Sequence, residues 1–358
     1  MTRNSPFTVL KNEKTINYPT YEESREFQAK LLGLWEQQQR VMNYTEASIA
    51  LGLKCVNEVL DVSVKFIWEI TIYDVDNFYM KLVGRGLAYS TRRKYQSTLT
   101  TFLDYLRSRH SAEIWEKYGV KVPIVVDKYN KHYHRNDDTD NQVIPPQLEV
   151  LERFWESMKE EMRHARKYHT VARDYVIFRI LELTGLRTQE IIMIDVKDCR
   201  FELGEKGKLH VRYGKGSKGS GYKQRWVPLL DDAEVLLKWY IENVRPLFTN
   251  SLDGALFLSE NNSRLNKDSV RGNLRRRQIK LGFSVEEQFS PHQLRHSFAT
   301  RQTGLGVDLL TLKELLGHAD VATTLNYANP GQDHIEKRVR MAQAKWKEQL
   351  LKFSEEGE

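Results

Sequence analysis

The sequence has few cysteines and no long apolar run. Its 358 residues include two cysteines, Cys55 and Cys199, whose spacing fits neither a metal site nor a disulfide framework and is typical of a reducing cytoplasm. No stretch approaches the roughly 20 apolar residues that a membrane span needs. The first ten residues lack the basic head and apolar run of a secretory signal. We therefore expect a cytoplasmic protein with no membrane partner.

Charge of either sign is spread along the chain rather than concentrated. The net charge is +7, with 20 basic and 18 acidic residues up to residue 142 and 35 and 30 in the remainder. An anionic partner would therefore have to be bound by a local arrangement of side chains. The hydrophobic fraction of 40%, with seven Trp and fourteen Phe, is enough for folded cores.

A polar segment divides the chain into two parts. Residues 136–141 are all polar, and Pro145-Pro146 interrupts regular structure on either side. We predict an N-terminal arm at residues 1–20, a helical domain at 21–130, a linker at 131–146, a second domain at 147–330 and a C-terminal tail helix at 331–358.

Apolar spacing predicts a mainly α fold with one small antiparallel β-sheet. The clearest helix of the first domain covers residues 91–109, with Ser90 as its candidate N-cap. In the second domain, helices are predicted at 147–163 and 170–184, and Gly185 ends the latter. Alternating residues at 208–213 and 224–229 predict two strands around a tip rich in glycine and lysine.

Candidate functional residues begin at that helix-ending glycine. Arg187 lies on the turn after Gly185, and Glu190 follows three residues later. An arginine held on a fixed turn can present its planar fork to a phosphate while a carboxylate orients it. Taken alone, the pair is better explained as a structural ion pair.

A second candidate pair lies at a predicted helix N-terminus. Ser290 and Gln293 match a capping box, with Pro291 in the first helical position. His292 and Arg295 then share one face near the positive end of the helix, where an anion is stabilised. Such a pair is by itself also typical of a solvated helix face.

Two further segments add a histidine, a tyrosine and two lysines. Gly317 ends an apolar helix and leaves His318 on the next loop, nine residues before Tyr327. Lys215 and Lys218 lie in the predicted hairpin tip. Each has a structural alternative, since tyrosines usually belong to cores or interfaces and loop lysines are usually solvated.

As a set, these residues match the needs of phosphodiester cleavage without a metal. The reaction requires stabilisation of charge on the non-bridging oxygens, a nucleophile and a proton for the leaving oxygen. Arginines and histidine suit the first need, since each well-placed donor contributes roughly 3 to 4 kcal/mol in comparable sites. A tyrosine is only about one part in a thousand ionised at pH 7, so a base is useful. A covalent bond to tyrosine conserves the energy of the phosphodiester.

The same residues carry a resemblance to the tyrosine recombinase (phage integrase) family. They stand in the motifs Thr-Gly-Leu-Arg187-x-x-Glu, Gly-Lys215-Gly-x-Lys, His292-x-x-Arg295 and Leu-Gly-His318, followed by Tyr327, in the family's order and approximate spacing. Residues 86–106 also resemble the family's N-terminal core-binding domain. The resemblance spans about residues 20–345 and implies a helical core-binding domain, a catalytic domain and a C-terminal helix.

The resemblance implies a role for each residue. The residues that would bind the scissile phosphate are Arg187, Arg295 and His318, and Glu190 would support them. His292 would be the general base, Tyr327 the nucleophile and Lys215 the general acid. Because the hairpin tip is longer than the family's, Lys218 stays open as the alternative acid.

Substrate and partners follow from the same resemblance. It implies double-stranded DNA recombination sites, a 3′-phosphotyrosyl intermediate formed without metal, ATP or other cofactor, and a homotetramer on two DNA sites, with room for accessory recombination proteins. The protein would then be associated with the nucleoid. Transposon, phage, integron and chromosome-resolution roles all stay open, and the added N-terminal arm favours a mobile element such as a transposon.

Three more segments have both a DNA-related and a structural interpretation. Two basic clusters could track phosphates or form solvated helix faces: Arg92, Arg93 and Lys94 in the first domain, and Arg271, Arg275, Arg276 and Arg277 in the second. Residues 332–351 predict an amphipathic helix, which we expect to dock on a neighbouring subunit; packing on its own domain is the alternative.

Three rival functions remain open from the residues alone. A type IB topoisomerase shares the chemistry but does not pair two sites. A DNA-binding architectural protein could retain the site without activity. A metal nuclease could use His292, His296 and His318, although the nearby acidic ligands it would need are scarce.

Overall fold

The computed structural model describes residues 19–133, 144–214, 221–248, 254–318 and residue 324. Its contacts divide the chain into two units, Met1–Asn141 and Gln142–Glu358. The structure thus leaves out nearly all of the predicted N-terminal arm and the whole of the predicted tail helix. Within the described ranges, no helix is long and apolar enough to cross a membrane.

The described part of the first unit is helical. Its helices are α1 (Tyr21–Val41), α2 (Glu46–Ser63), α3 (Ile72–Gly84), α4 (Tyr89–Arg109) and α5 (Ser111–Tyr118). Capping explains where α1 and α3 begin. Thr20 exchanges hydrogen bonds with Glu23, and Thr71 does the same with Asp74, so both helices start at a capping box.

The apolar stripe predicted for α4 faces the core of this unit. Tyr95, Leu99, Phe102, Leu103 and Leu106 are all buried, and burial stabilises each large side chain by roughly 1.5 to 3 kcal/mol. The Phe102 ring packs 4.8 Å from that of Trp35 in α1, measured between centroids. The prediction of Ser90 as N-cap was wrong, since Ala88 precedes the first helical residue and no side chain caps the helix.

The second unit is built around one central helix. Its helices are α6 (Leu148–His164), α7 (Tyr168–Thr184), α8 (Thr188–Ile192), α9 (Ala233–Trp239), α10 (Lys267–Lys280), α11 (Pro291–Gly304) and α12 (Leu309–Leu316). Helix α9 continues through a π-helical turn (Tyr240–Val244) and a 3-10 turn (Arg245–Leu247). Helix α7 is buried on almost every side and contacts α6, α9, α10 and α11.

Three antiparallel strands stand beside these helices, in the order β1 (Cys199–Arg200), β2 (Lys208–Gly214) and β3 (Lys223–Pro228). Val211 pairs with Arg225 and Gly214 with Lys223, so β2 carries one extra residue as a bulge just before the hairpin tip. The predicted strands β2 and β3 are confirmed. Strand β1 has two residues, which is too short for an alternating pattern to reveal.

Candidate active site

The turn between α7 and α8 supplies the first arginine of the site. Gly185 ends α7 with a φ of +64°, and a Cβ atom there would lie 2.4 Å from Phe298, so both the backbone and the packing require glycine. After the turn, the backbone N of Arg187 donates to Glu190 Oε2 over 2.8 Å and its Nη1 donates to Oε1 over 2.9 Å. Glu190 is buried and holds the arginine in one orientation.

Helix α11 supplies the second arginine. Ser290 and Gln293 form the predicted capping box at its start, with Pro291 in the first position. The Arg295 side chain is 1% exposed, and its Nη1 donates to the Gly185 carbonyl over 2.6 Å. A buried guanidinium needs such partners, because an unpaired charge in the interior is strongly destabilising.

The loop after α12 brings a histidine onto this arginine. Gly317 ends α12 in the left-handed conformation, and His318 Nε2 lies 2.9 Å from Arg295 Nη2. A guanidinium only donates, so His318 Nε2 accepts and Nδ1 carries the proton. His318 Nδ1 lies 2.8 Å from Thr324 Oγ1. Burial, followed by the charges of Arg295 and Arg187, lowers the pKa of His318 to about 3, so it is neutral at pH 7.

One backbone carbonyl joins the two arginines. Leu316 O accepts from Arg187 Nη1 over 3.3 Å and from Arg295 Nη2 over 2.8 Å. Three elements distant in sequence, α8, α11 and the end of α12, therefore meet at one point. The Arg187 side chain keeps 25% of its surface exposed, whereas Arg295 is buried, so Arg187 offers the more open face to a ligand.

Two further histidines lie on the first turns of α11. His292 Nε2 is 3.2 Å from His296 Nε2, and the ring planes are nearly perpendicular. His292 remains exposed at the surface, yet its pKa is lowered, first by desolvation and then by Arg295 and Arg187. Desolvation, His292 and Arg295 lower the pKa of His296 to about 4. Both are thus neutral at pH 7, as a general base must be.

A third arginine of the site, Arg225, is not among the residues predicted from the sequence. Arg225 on β3 donates from Nη1 and Nη2 to the two carboxylate oxygens of Glu190, each over 2.9 Å, and from Nε to Leu315 O over 3.2 Å. A signal was available, because the alternation of β3 places Arg225 on the same side as buried Val227. A charged residue at an inward position is a functional or structural candidate.

The assembled site is suited to an oxyanion. Three guanidinium groups face one carboxylate, Glu190. Burial alone would raise the pKa of Glu190, but Arg225 and Arg187 lower it to about 2. Since the neighbouring histidines are neutral, the cluster carries a net positive charge. The remaining candidates, Lys215, Lys218 and Tyr327, lie outside the described residues.

The basic cluster on α10 divides into two kinds of residue. Arg271, Arg275 and Arg276 are exposed. Arg277 instead turns inward, where it pairs with Asp174 over 3.1 Å and with Glu161 over 2.8 Å. The first three arginines therefore face outward, whereas Arg277 is part of the packing between α6, α7 and α10.

The first basic cluster lies on the opening turns of α4. Lys94 is exposed, while Arg92 and Arg93 are half-buried. The Arg92 guanidinium carbon lies 5.3 Å from the centre of the Tyr89 ring, a distance at which a cation is attracted to the ring face.

Among the described residues of both units, no group of three or more His, Cys, Asp or Glu side chains is arranged to hold a metal ion.

Comparison with known proteins places this site in a family. The family model described as the phage integrase family matches residues 153–334, a span that includes every candidate catalytic residue. The tyrosine recombinase XerD of Staphylococcus saprophyticus subsp. saprophyticus is 31% identical over 241 residues, which cover 67% of this chain and 74% of XerD. The chain belongs to the phage integrase family. As a tyrosine recombinase it is a site-specific DNA strand-exchange enzyme, and the topoisomerase and architectural alternatives are not favoured.

Solved structures share the fold of this tyrosine recombinase. XerH site-specific recombinase, bound to its palindromic difH substrate, matches with a TM-score of 0.63 over 92% of this chain and 91% of its own, at 22% identity. The Tn1549 transposon integrase, in complex with circular intermediate DNA, matches with a TM-score of 0.61 over 87% and 99%, at 20% identity. These matches confirm the predicted fold class, a mainly α chain with a small antiparallel sheet.

Proposed function

We propose that this recombinase cuts a DNA strand with the Tyr327 hydroxyl while Arg187, Arg295 and His318 hold the scissile phosphate. The observation that carries the proposal is the meeting of both arginines at the Leu316 carbonyl, with His318 on Arg295 at 2.9 Å. Donors preorganised in this way stabilise the charge that develops on the phosphate, and such stabilisation contributes much of an enzyme's rate.

The bonds of the proposed step balance without a cofactor. The Tyr327 oxygen forms a bond to phosphorus, its proton passes to His292, and the bond from phosphorus to the 5′ oxygen breaks. Lys215, or Lys218 in its place, gives that oxygen a proton. The product is a 3′-phosphotyrosyl bond and a free 5′ hydroxyl, and attack by the 5′ hydroxyl of a partner strand reverses the step.

His318 can serve the phosphate after one change of tautomer. In the described structure its Nε2 accepts from Arg295, whereas a contact to a phosphate oxygen requires Nε2 to donate. The Thr324 hydroxyl can accept from Nδ1–H or donate to a bare Nδ1, so the same 2.8 Å contact supports both tautomers. When the phosphate binds, one of its oxygens would accept the hydrogen bond from Arg295 in place of His318 Nε2.

The partners of the reaction are proposed from the family. XerH was solved on its difH substrate and the Tn1549 integrase on circular intermediate DNA. We propose that this chain likewise binds double-stranded recombination sites, with residues 21–130 as core-binding domain and residues 147–330 as catalytic domain. It would act as a homotetramer on two sites, with the tail helix at 331–358 docked on a neighbouring subunit. We also predict that the protein is associated with the nucleoid in the cytoplasm and that it acts on a mobile element such as a transposon.

A trapping experiment tests the proposed cleavage without knowledge of the target site. A pool of duplex oligonucleotides with randomised sequence carries a nick, so that cleavage near it releases a short fragment and prevents rejoining. Protein is added in the presence of EDTA and without ATP, and covalent adducts are isolated under denaturing conditions and sequenced. The matched control for Tyr327→Phe is Tyr222→Phe, which changes an exposed tyrosine of the same unit.

We expect an adduct with the natural chain and with Tyr222→Phe and none with Tyr327→Phe. A label at the 5′ end of the cut strand should stay with the protein, because the proposed bond is to the 3′ phosphate. An adduct with Tyr327→Phe would refute the nucleophile. A label that leaves with the released fragment would refute the proposed polarity.

A further inference from the structure

Glu190 is a buried carboxylate on which several positive groups converge. Its side chain is 1% exposed and accepts from the backbone N and Nη1 of Arg187 and from both Nη atoms of Arg225. Arg295 Nη1 lies 3.9 Å from its Oε2. The two arginines that we propose as phosphate ligands therefore share one anion with a third arginine, Arg225.

Arg225 is placed to satisfy that anion by itself. The bidentate pair uses both of its Nη atoms, and its Nε is bound to the Leu315 carbonyl at 3.2 Å. Its side chain is 9% exposed, so a DNA phosphate has little access to it. A fork-to-fork pair of this kind is among the strongest that a carboxylate forms.

Arg225 also contacts the end of α12, which carries His318. A Cβ atom at Gly317 would lie 2.7 to 2.9 Å from the Arg225 guanidinium, so the chain passes directly over it. The Leu315 carbonyl, which Arg225 holds, is adjacent to the Leu316 carbonyl that binds Arg187 and Arg295. One side chain on β3 thereby fixes the helix end that unites the phosphate ligands.

We infer that Arg225 is a positioning residue of the recombinase, which occupies Glu190 and so leaves Arg187 and Arg295 available to the scissile phosphate. Without Arg225, the buried carboxylate would be neutralised by Arg187 and Arg295 alone, since an unpaired buried charge must find a partner. Both arginines would then be drawn toward Glu190 and away from the DNA. The inference rests on the proposed function and deepens it.

The inference predicts an asymmetry between the two members of the pair. Arg225→Gln leaves an uncompensated carboxylate beside the proposed phosphate ligands. Glu190→Gln removes the competing negative charge but keeps a side-chain oxygen that can still accept from Arg187. We expect covalent adduct formation to slow roughly 100-fold in Arg225→Gln, the range for loss of one donor to a developing charge. The slowing in Glu190→Gln should be smaller than this by a factor of at least about ten. The double variant should react at the rate of Glu190→Gln, which means that the second change rescues the first.

The experiment measures single-turnover adduct formation on a nicked duplex recovered from the randomised pool. Noncovalent binding of the same duplex and thermal unfolding are measured for every variant. Arg264→Gln is the matched control, because Arg264 likewise binds a carboxylate, Asp195 at 2.6 Å, and backbone carbonyl groups, those of Ile192 at 2.9 Å and Ile194 at 3.4 Å. Arg264→Gln should be less stable than the natural chain, but its rate of adduct formation should stay within about threefold of the natural rate. That margin is well below the roughly 100-fold decrease in rate that loss of one catalytic donor causes.

The outcomes separate this inference from the proposed function. Absence of an adduct with the natural chain contradicts the proposed function itself. An adduct with the natural chain, together with equal losses in Arg225→Gln, Glu190→Gln and the double variant, would mean a plain structural pair and overturn the inference. If Arg225→Gln does not fold, Arg225→Lys with and without Glu190→Gln carries the same comparison: rescue by Glu190→Gln supports the inference, and its absence overturns it.

Discussion

His318 accepts a hydrogen bond from Arg295 through Nε2 at 2.9 Å and lies 2.8 Å from the Thr324 hydroxyl through Nδ1. Both ring nitrogens of a buried histidine are therefore engaged, one with Arg295, a proposed phosphate ligand, and one with a residue three positions before Tyr327. The pair fixes the orientation of the ring at the point where the proposed reaction occurs.

Loss of the Thr324 hydroxyl should destabilise the second unit. In Thr324→Val, the buried Nδ1–H of His318 loses this acceptor. The free energy of unfolding should therefore fall by roughly 1 to 3 kcal/mol. Thr324→Ser keeps the hydroxyl and is the control. Urea denaturation of the three proteins measures the difference, and equal unfolding free energies for the Val and Ser variants would show that the contact contributes nothing.

Protonation of histidines in the unfolded chain should weaken the protein as the pH falls. The pKa of His318 is lowered to about 3 and that of His296 to about 4. Between these values and an unfolded-state pKa near 6.5, the unfolded chain binds more protons than the folded one. Stability therefore falls as the pH drops from about 7 to 5, by at most about 1.4 kcal/mol per pH unit for each histidine. Denaturation across this range should show a smaller slope for His318→Asn; an unchanged slope would contradict the assignment.

Gly185 should tolerate no side chain. A Cβ atom at this position meets Phe298 and Leu316 at 2.4 and 2.9 Å, and φ is +64°. Gly185→Ala combines an unfavourable backbone conformation with overpacking, for a loss of roughly 2 to 4 kcal/mol. Gly282→Ala is the control, since φ there is +78° but nothing lies within 4 Å of the added Cβ. Thermal unfolding should show the larger loss at Gly185, and equal losses would rule out the packing argument.

The arginines of α10 should separate into DNA contacts and structural residues. Arg271→Ala and Arg275→Ala should weaken DNA binding and reduce its salt dependence without affecting folding, because these side chains are exposed. Arg277→Ala should instead lower stability by roughly 1 to 3 kcal/mol, since Asp174 Oδ2 loses this partner while Arg173 still pairs with Oδ1. Binding measured at several salt concentrations, with denaturation curves alongside, distinguishes the two effects. Weaker binding by a stable Arg277→Ala would contradict the division.

Much of the site could be predicted because its parts are encoded locally. The glycines that end α7 and α12, the capping box of Ser290 and Gln293, and the turn carrying Arg187 each depend on a few neighbouring residues. Such local signals fix which residues begin and end an element. They also place Arg187, His292, Arg295 and His318 at element ends.

What the sequence left undecided depends on contacts between distant residues. Arg225 meets Glu190 across 35 positions, and Arg277 meets Asp174 across 103. Which basic residue faces inward is decided by the carboxylate that packing places opposite it, and no local pattern records that placement. The start of α4 was misplaced for another reason, since Ser90 is a favourable cap by type but Ala88 occupies the position.

In the proposed reaction, Tyr327 becomes bonded to the 3′ phosphate of the cut strand. The direct test is to digest a trapped protein–DNA adduct with protease and identify by mass spectrometry the residue that carries the nucleotide. We expect a single modified peptide, with the phosphodiester on Tyr327. A nucleotide on any other residue of the natural chain would contradict it.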